Sequence, residues 1–426
     1  MSIIKKIDRH FVNDSLVETM ASLEGAITVL SRDNEYVDKV LECFSVDKTK
    51  EKVIQIGNVK KLLEDISDLD SMAEKKDVRV KVRDIVLDKM LEEEAALFTL
   101  YGISDLDLIK KSHADYIQVE SRYSAKNDVL EIHKLGKFAN FCRDSGWSDL
   151  LDVIKEYIRN HTNNDDFCSA RLIRPIESER YLLRAVTSDK AYRNYGINFS
   201  VLVALLSVNR YATSTKSDVF IDNYQIDDSR VYLSFRLGTP VRIDDNLELS
   251  FSLILENDEI KDSSVSFSGV FQLMYTSKDR NTNITLRPNT FRYPGEMPSK
   301  SNNIDMLTYT HSMSIEKVYD KINNLPLYIE KYVSQVAKYA KAIIDIKNPN
   351  EVKSFIVDAV CKAKKDEFSK YKEEVLRTLA AIESNSIFDL FEALRSVEEL
   401  FGDDIVSREY WRKKLFSLLF SRGKDN

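Results

Sequence analysis

Residues 230–237 read RVYLSFRL and residues 265–275 read VSFSGVFQLMY, with apolar and polar side chains alternating in both. In the first, Val231, Leu233, Phe235 and Leu237 fall on one face and Tyr232, Ser234 and Arg236 on the other. Side chains alternate across a strand, so a period of two predicts an antiparallel sheet with one face buried and one open, the open face carrying Tyr232 and Arg236. Similar segments at 218–225, 247–255, 264–274 and 283–287 complete the sheet, and a helix over 199–206 is expected on its covered side.

Outward from this block the period changes to that of a helix. Phe11, Leu16, Met20, Leu23, Ile27 and Leu30 recur every three or four residues, and Val37, Val40, Leu41 and Phe44 resume the series. Residues 84–101 read as an amphipathic helix through Ile85, Leu87, Met90, Leu91, Leu97 and Leu100, stopped by Gly102; Ser104 and Asp107 then form a capping pair for another. After residue 300 the stripe Ile329, Val333, Val336, Ala340, Ile343 and the stripe Val352, Phe355, Ile356, Ala359, Ala363 predict two helices. A third starts at Ser386 with Asp389 in the capping-box position and ends at Gly402. The final segment, REYWRKKLFSLLFSR, is basic and strongly apolar, and its stripe predicts docking on its own domain. The expected fold is α+β: a helical N-terminal domain (1–165), a central β-rich domain with an antiparallel sheet (166–300) and a C-terminal helical region (301–426).

Composition narrows the function classes. Hydrophobic residues at 43% and charged residues at 31% describe a globular chain, and 11 Gly with 7 Pro leave few breakers, which favours long helices. A net charge of -7 excludes whole-surface attraction to nucleic acid or anionic membrane, so any such contact must be local. Cys43, Cys142, Cys168 and Cys361 are far apart without metal-ligand spacing, which points to a reducing compartment and no structural zinc. The start, MSIIKKIDRHF, lacks a signal-peptide pattern, and the longest apolar run, 199–208, is half a membrane span; a cytosolic protein with no membrane partner is expected.

The chain carries no phosphate-cradling glycine loop and no nucleophile elbow, and His10, His113, His133, His161 and His311 are scattered, so no cofactor and no catalytic residue is assigned. Asp244 and Asp245, followed by Glu256 and then Glu259-Ile260-Lys261, could hold Mg²⁺ as in a nuclease, but LENDEIKDSS has the composition of a solvated turn. The acidic clusters Glu64-Asp65 with Asp68 and Asp70, Glu92 to Glu94, and Asp227-Asp228 read as solvated helix faces and turns.

The most informative stretch is 171–216. It holds eight Lys or Arg against three acids, interleaved with tyrosines. Arginines that neutralise phosphates beside aromatic faces that stack bases are what single-stranded nucleic acid requires. On this reading Arg180, Arg184, Arg193 and Arg210 contact phosphate, and Tyr181, Tyr192, Tyr195 and Tyr211 offer stacking faces.

Four segments in order, RAVTSDKAYRNYGINFSVLVAL, DSRVYLSFRL, LELSFSLILENDEIKDSSVSFSGVFQLMY and SIFDLFEALRSVEELFG, resemble the phage/plasmid-like protein family, a domain of unknown function carried by phages and plasmids. The resemblance covers roughly 171–426, with Lys261 and Ser263 where the family usually has glycine. It implies a mobile-element protein, and by analogy of plan with annealing recombinases it implies ATP-independent binding or annealing of single-stranded DNA as a homo-oligomer. Two alternatives stand beside it: a non-catalytic interaction protein that assembles with itself or binds a host protein, and the Mg²⁺-dependent nuclease.

Overall fold

The computed structural model describes residues 3–11, 16–47, 52–91, 95–103, 115–161, 166–238, 240–260, 264–277, 280–288, 307–329, 346–362, 369–402 and 404–421. The chain combines helices with two large sheets. The larger has the order Ile7–His10, Val219–Ile226, Arg230–Leu237, Leu247–Asp258, Val265–Ser277, Arg280–Leu286, every pair antiparallel. Its five long strands are the segments that alternate in the sequence. Leu233 lies opposite both Tyr224 and Leu255, and Phe235 opposite Leu253, all fully buried on the inner face.

Against that face lies the helix Ile197–Thr215, twice as long as the apolar run suggests. From Ile197 to Asn209 every side chain except Asn198 is buried. A helix apolar on all sides needs cover on all sides. The sheet supplies one side, and the helices Leu23–Leu30 and Val59–Met72 join the same core. Lys216 ends the helix in the left-handed conformation.

From Ile315 to Ser421 the described elements are helical. Ile387–Glu399 begins with the expected capping box: Ser386 Oγ accepts from Asp389 N at 3.2 Å, and the Asp389 carboxylate accepts from Ser386 N at 3.0 Å. This helix and Ile405–Ser421 pack on the strand Arg280–Leu286. Trp411, Leu415 and Phe416 are buried, so the basic terminal helix docks on its own domain. It also covers the sheet face expected to be open. Tyr232 is buried with Ile254 and Val270, and its hydroxyl donates to Glu409 Oε1 at 3.2 Å; Arg236 lies half-buried over the Phe220 ring beside Asp222.

The second sheet corrects the expectation of a helical N-terminal domain. Its order is Ala73–Lys81, Phe167–Pro175, Leu182–Ser188, Tyr116–Ser121, Ala96–Tyr101, Ile85–Met90, with one parallel pair, Tyr116–Ser121 on Leu182–Ser188. Residues 84–101 are therefore two strands. Ile85 and Leu87 are buried in the first, and Ala96, Phe98 and Leu100 in the second. Read as one window, two short period-two patterns joined by a reversal imitate helical spacing. The boundary at 165/166 runs through this sheet, because Lys81 pairs with Phe167 and Ala73 with Pro175. A separate core of Val78, Val80, Phe98, Val119, Leu172 and Leu183 closes under the helices Ala125–Glu131, Gly136–Asp144 and Ser148–His161. The helix expected after Ser104 and the stripe from Val333 to Ile343 fall outside the described residues. Among the described residues no helix is long and apolar enough to cross a membrane.

Candidate functional site

The stretch 171–216 folds as part of the strand Phe167–Pro175, the strand Leu182–Ser188, a connection, and the long helix. That path carries Arg171 and Arg184 between the two sheets, each only 1% exposed. Arg171 Nε donates to Asp77 Oδ1 at 3.1 Å, Nη1 to the Tyr192 hydroxyl at 3.0 Å and the Glu259 carbonyl at 2.7 Å, and Nη2 to Asn194 Oδ1 at 2.8 Å. Arg184 Nη1 donates to Glu259 Oε2 at 3.0 Å, with the Asp228 carbonyl at 3.0 Å and Ser229 Oγ at 3.2 Å also in reach.

Glu259 is the centre of this junction. It follows the strand Leu247–Asp258 of the large sheet, while its cations come from the small one. Oε2 also accepts from Lys75 Nζ at 3.1 Å, and Oε1 accepts from the backbone N–H of Ile197 at 3.1 Å, at the start of the long helix. Burial alone would push this carboxyl up, but Lys75, Arg184 and Arg171 hold it well below the usual carboxylate range. The positive end of the helix dipole acts in the same direction. Gly196 makes the approach possible, since a Cβ there would lie 2.7 Å from Glu259 Oε1.

This geometry corrects three expectations. LENDEIKDSS is not a solvated turn over its described part: Asn257, Asp258, Glu259 and Ile260 are all buried, and Lys261 lies outside the described residues. Nor does Glu259 suit Mg²⁺, because its oxygens face three cations and an N–H, an arrangement that repels a divalent cation. Two acids of the clusters read as solvated are buried. Asp65 binds Arg9 at 2.9 Å, Lys61 at 2.8 Å and the Tyr224 hydroxyl at 2.8 Å; Asp228 accepts from the Tyr123 hydroxyl at 2.8 Å and from Ile3 N at 2.9 Å.

The eight residues nominated for nucleic acid are dispersed. Tyr181, Arg184, Tyr195 and Tyr211 are buried and present no stacking or phosphate-binding surface. Tyr192 and Arg193 are half-buried in the junction, where the Tyr192 ring stacks on His311 at 4.8 Å and burial pushes its hydroxyl up to about 12. Arg180, in the turn between two strands, and Arg210, near the far end of the long helix, are exposed. The junction borders a cavity of about 210 Å³ whose wall carries five basic residues (Arg32, Lys75, Lys76, Arg171, Arg184) and six acids (Asp33, Asp70, Asp77, Asp227, Asp228, Glu259). Such a wall has no positive excess with which to hold a phosphate chain.

His311 closes the far side of the junction. Its Nδ1 lies 3.1 Å from the Arg193 carbonyl and its Nε2 3.2 Å from Asn257 Oδ1. The Asn257 amide nitrogen is engaged elsewhere, donating at 2.8 Å to both the Tyr195 carbonyl and Ser200 Oγ. Both ring nitrogens therefore face acceptors, although burial lowers the imidazole's affinity for a proton. A second ionic knot, Arg287 with Glu256 at 2.6 Å and Glu409 at 2.9 Å, fastens the last helix to the large sheet. Burial would raise the Glu409 carboxyl, yet Arg412 and Arg287 bring it down to about 2.

The exposed aromatic surface lies elsewhere. On the helix Ser148–His161, Leu151 is buried and Lys155 Nζ donates to the Asp88 carbonyl at 2.8 Å, which fixes the face turned to the small sheet. Leu150, Val153 and Tyr157, spaced i, i+3 and i+7, fall in an adjoining sector and remain 39%, 62% and 62% exposed. Phe141 and Trp147, 49% and 50% exposed, lie just before this helix with their rings edge to face at 5.2 Å. The apolar arc of this helix is thus wider than its own core covers. Sequence reading missed this face because it scored helical period without asking how broad the apolar arc is.

No family model, no curated protein and no solved structure matches the chain.

Proposed function

We propose that this chain is a non-catalytic interaction protein that works by binding protein, with Phe141, Trp147, Leu150, Val153 and Tyr157 as its contact surface. The observation that carries this reading is the group itself: five large apolar side chains, three of them aromatic, exposed on two consecutive helices and the turn between them. Trp and Tyr dominate the energetics of protein interfaces, and large exposed apolar patches mark binding sites. The resemblance to phage- and plasmid-borne proteins belongs to the same proposal and gives it a setting, a mobile element whose product engages itself or a host protein. Selection of displayed random peptides on the folded chain tests it. Enrichment of apolar, aromatic peptides that is lost in the Trp147→Ser/Tyr157→Ser variant supports the surface; no enrichment, or enrichment indifferent to those changes, rejects it.

Single-stranded DNA binding is the second reading, and one observation favours it. The Arg79 guanidinium lies 3.8 Å from the centre of the Phe167 ring and Lys81 Nζ 5.7 Å from it, on the outer strand of the small sheet. Cations beside an aromatic ring on a sheet edge form a small stacking platform. Anisotropy of labelled oligo-dT at low salt decides it. A salt-sensitive affinity that Arg79→Ala/Lys81→Ala weakens supports DNA binding, and no binding at low salt removes it.

A further inference from the structure

We infer that the occupant of the aromatic face is a second copy of this chain, with the two Ser148–His161 helices crossing antiparallel about a two-fold axis near Val153. The inference rests on the protein-binding reading above and commits it to one partner. Three features of the face lead there.

The first is area. Aromatic side chains bury about 150–250 Å² each, so three of them half-exposed, with Leu150 and Val153, leave roughly 500 Å² of apolar surface. A stable dimer removes about 800 Å² from each partner, with an apolar centre and a polar rim. The face supplies a centre of that size without any rearrangement.

Charge is the second. The chain carries a net -7, yet residues 136–161 hold four acids (Asp144, Asp149, Asp152, Glu156) and four bases (Lys137, Arg143, Lys155, Arg159). A neutral surround exerts no pull on a polyanion or a strongly charged peptide. It also sets no like-charge barrier between two copies.

Polarity is the third. Asp149 stands in the first turn of the helix, at the positive end of its dipole. An antiparallel copy sets the start of each helix beside the end of the other and so opposes the two helix dipoles. The same crossing places Leu150 of one copy beside Tyr157 of the other, with the two Val153 side chains meeting at the axis. A point on the axis contacts itself, which is the signature of an isologous interface.

Light scattering on the eluting protein over about 1 to 100 µM tests this, a range that brackets micromolar association. The expected mass is twice 49.2 kDa for the native chain and 49.2 kDa for Trp147→Ser/Tyr157→Ser with an unchanged circular dichroism spectrum. In a Cys361→Ser background, which removes the exposed native thiol, Val153→Cys should give a disulfide-linked dimer on mild oxidation. A native chain of 49.2 kDa throughout the range, a dimer that survives the double substitution, or a dimer in which Val153→Cys does not cross-link overturns the inference. A monomer that still selects aromatic peptides refutes the second copy and leaves the protein-binding reading standing. A monomer that selects none refutes both.

Discussion

Residues 171–216 and residues 136–161 look alike as sequence, since both mix charged side chains with aromatic ones on short elements. In the structure they separate. Arg171, Arg184 and Tyr195 are inside because their strands and the connection after them are covered by the second sheet and the long helix, and Tyr181 because it joins the small sheet's own core. Phe141, Trp147 and Tyr157 are outside, half or more exposed, on and between the helices that cover one face of the small sheet. Interleaved charge and aromatic character therefore says little about exposure. Position between layers decides it, and the partner that neutralises a buried arginine can be as distant in sequence as Glu259.

The sharpest way to break this contrast is at its centre. Glu259→Ala leaves Lys75 and Arg184 without their shared carboxylate, and breaking a buried ion pair from one side costs about 3–5 kcal/mol. Urea unfolding of Glu259→Ala should show that loss, whereas Trp147→Ser should move stability by less than about 1 kcal/mol. If Trp147→Ser costs as much as Glu259→Ala, the aromatic face belongs to the core and the contrast fails.

Proton linkage gives a milder test of the same junction. The folded value of Glu259 is depressed, so its contribution is present above the unfolded carboxylate value near 4.3 and is lost as pH falls through the folded one. His311 is also lowered in the fold, chiefly by burial, with Arg171 opposing its charge and Glu259, the Arg193 carbonyl and the Asp258 backbone favouring it. For a base held neutral by the fold, stability falls as pH drops below the unfolded value near 6.5. The urea midpoint should therefore decline in two steps on acidification, the first below about pH 6.5 and the second below about pH 4.3. In His311→Gln the first step should shrink, leaving the share of His133, which burial also lowers, and the second should remain. A first step unchanged by that substitution would assign it to another group.

Local signals survived the passage from sequence to structure better than long-range ones. The five long strands from Val219 to Leu286 were legible because each has a covered face and runs for at least seven residues. The capping box at Ser386 was legible because it lies within four residues. Ser386→Ala should cost about 1 kcal/mol in the same unfolding assay. The two strands in 84–101 were not legible, since a reversal inside the window merged their patterns. The burial of Asp65, Asp228 and Glu259 was hidden for another reason. An acid that is compensated by Arg9, Tyr123 or Arg184 looks, in its own neighbourhood, like any acid in a polar turn.

The smallest expected effect falls on the part of 171–216 that does behave as surface. Arg180 is exposed in the turn between two strands of the small sheet, so Arg180→Ala should change stability by less than about 0.5 kcal/mol. Its value lies in what it separates. Under the protein-binding reading, Arg180→Ala leaves self-association and peptide selection untouched, because the residue lies outside the aromatic face. If the role expected for 171–216 from its residue types held, it would remove one phosphate contact, and the slope of log affinity for oligo-dT against log salt should shrink by about 1. A variant that is as stable as the native chain but binds oligo-dT with a reduced salt slope would return part of this stretch to the role its residue types suggest. A slope that does not move would leave Arg180 as an ordinary solvated arginine on a turn.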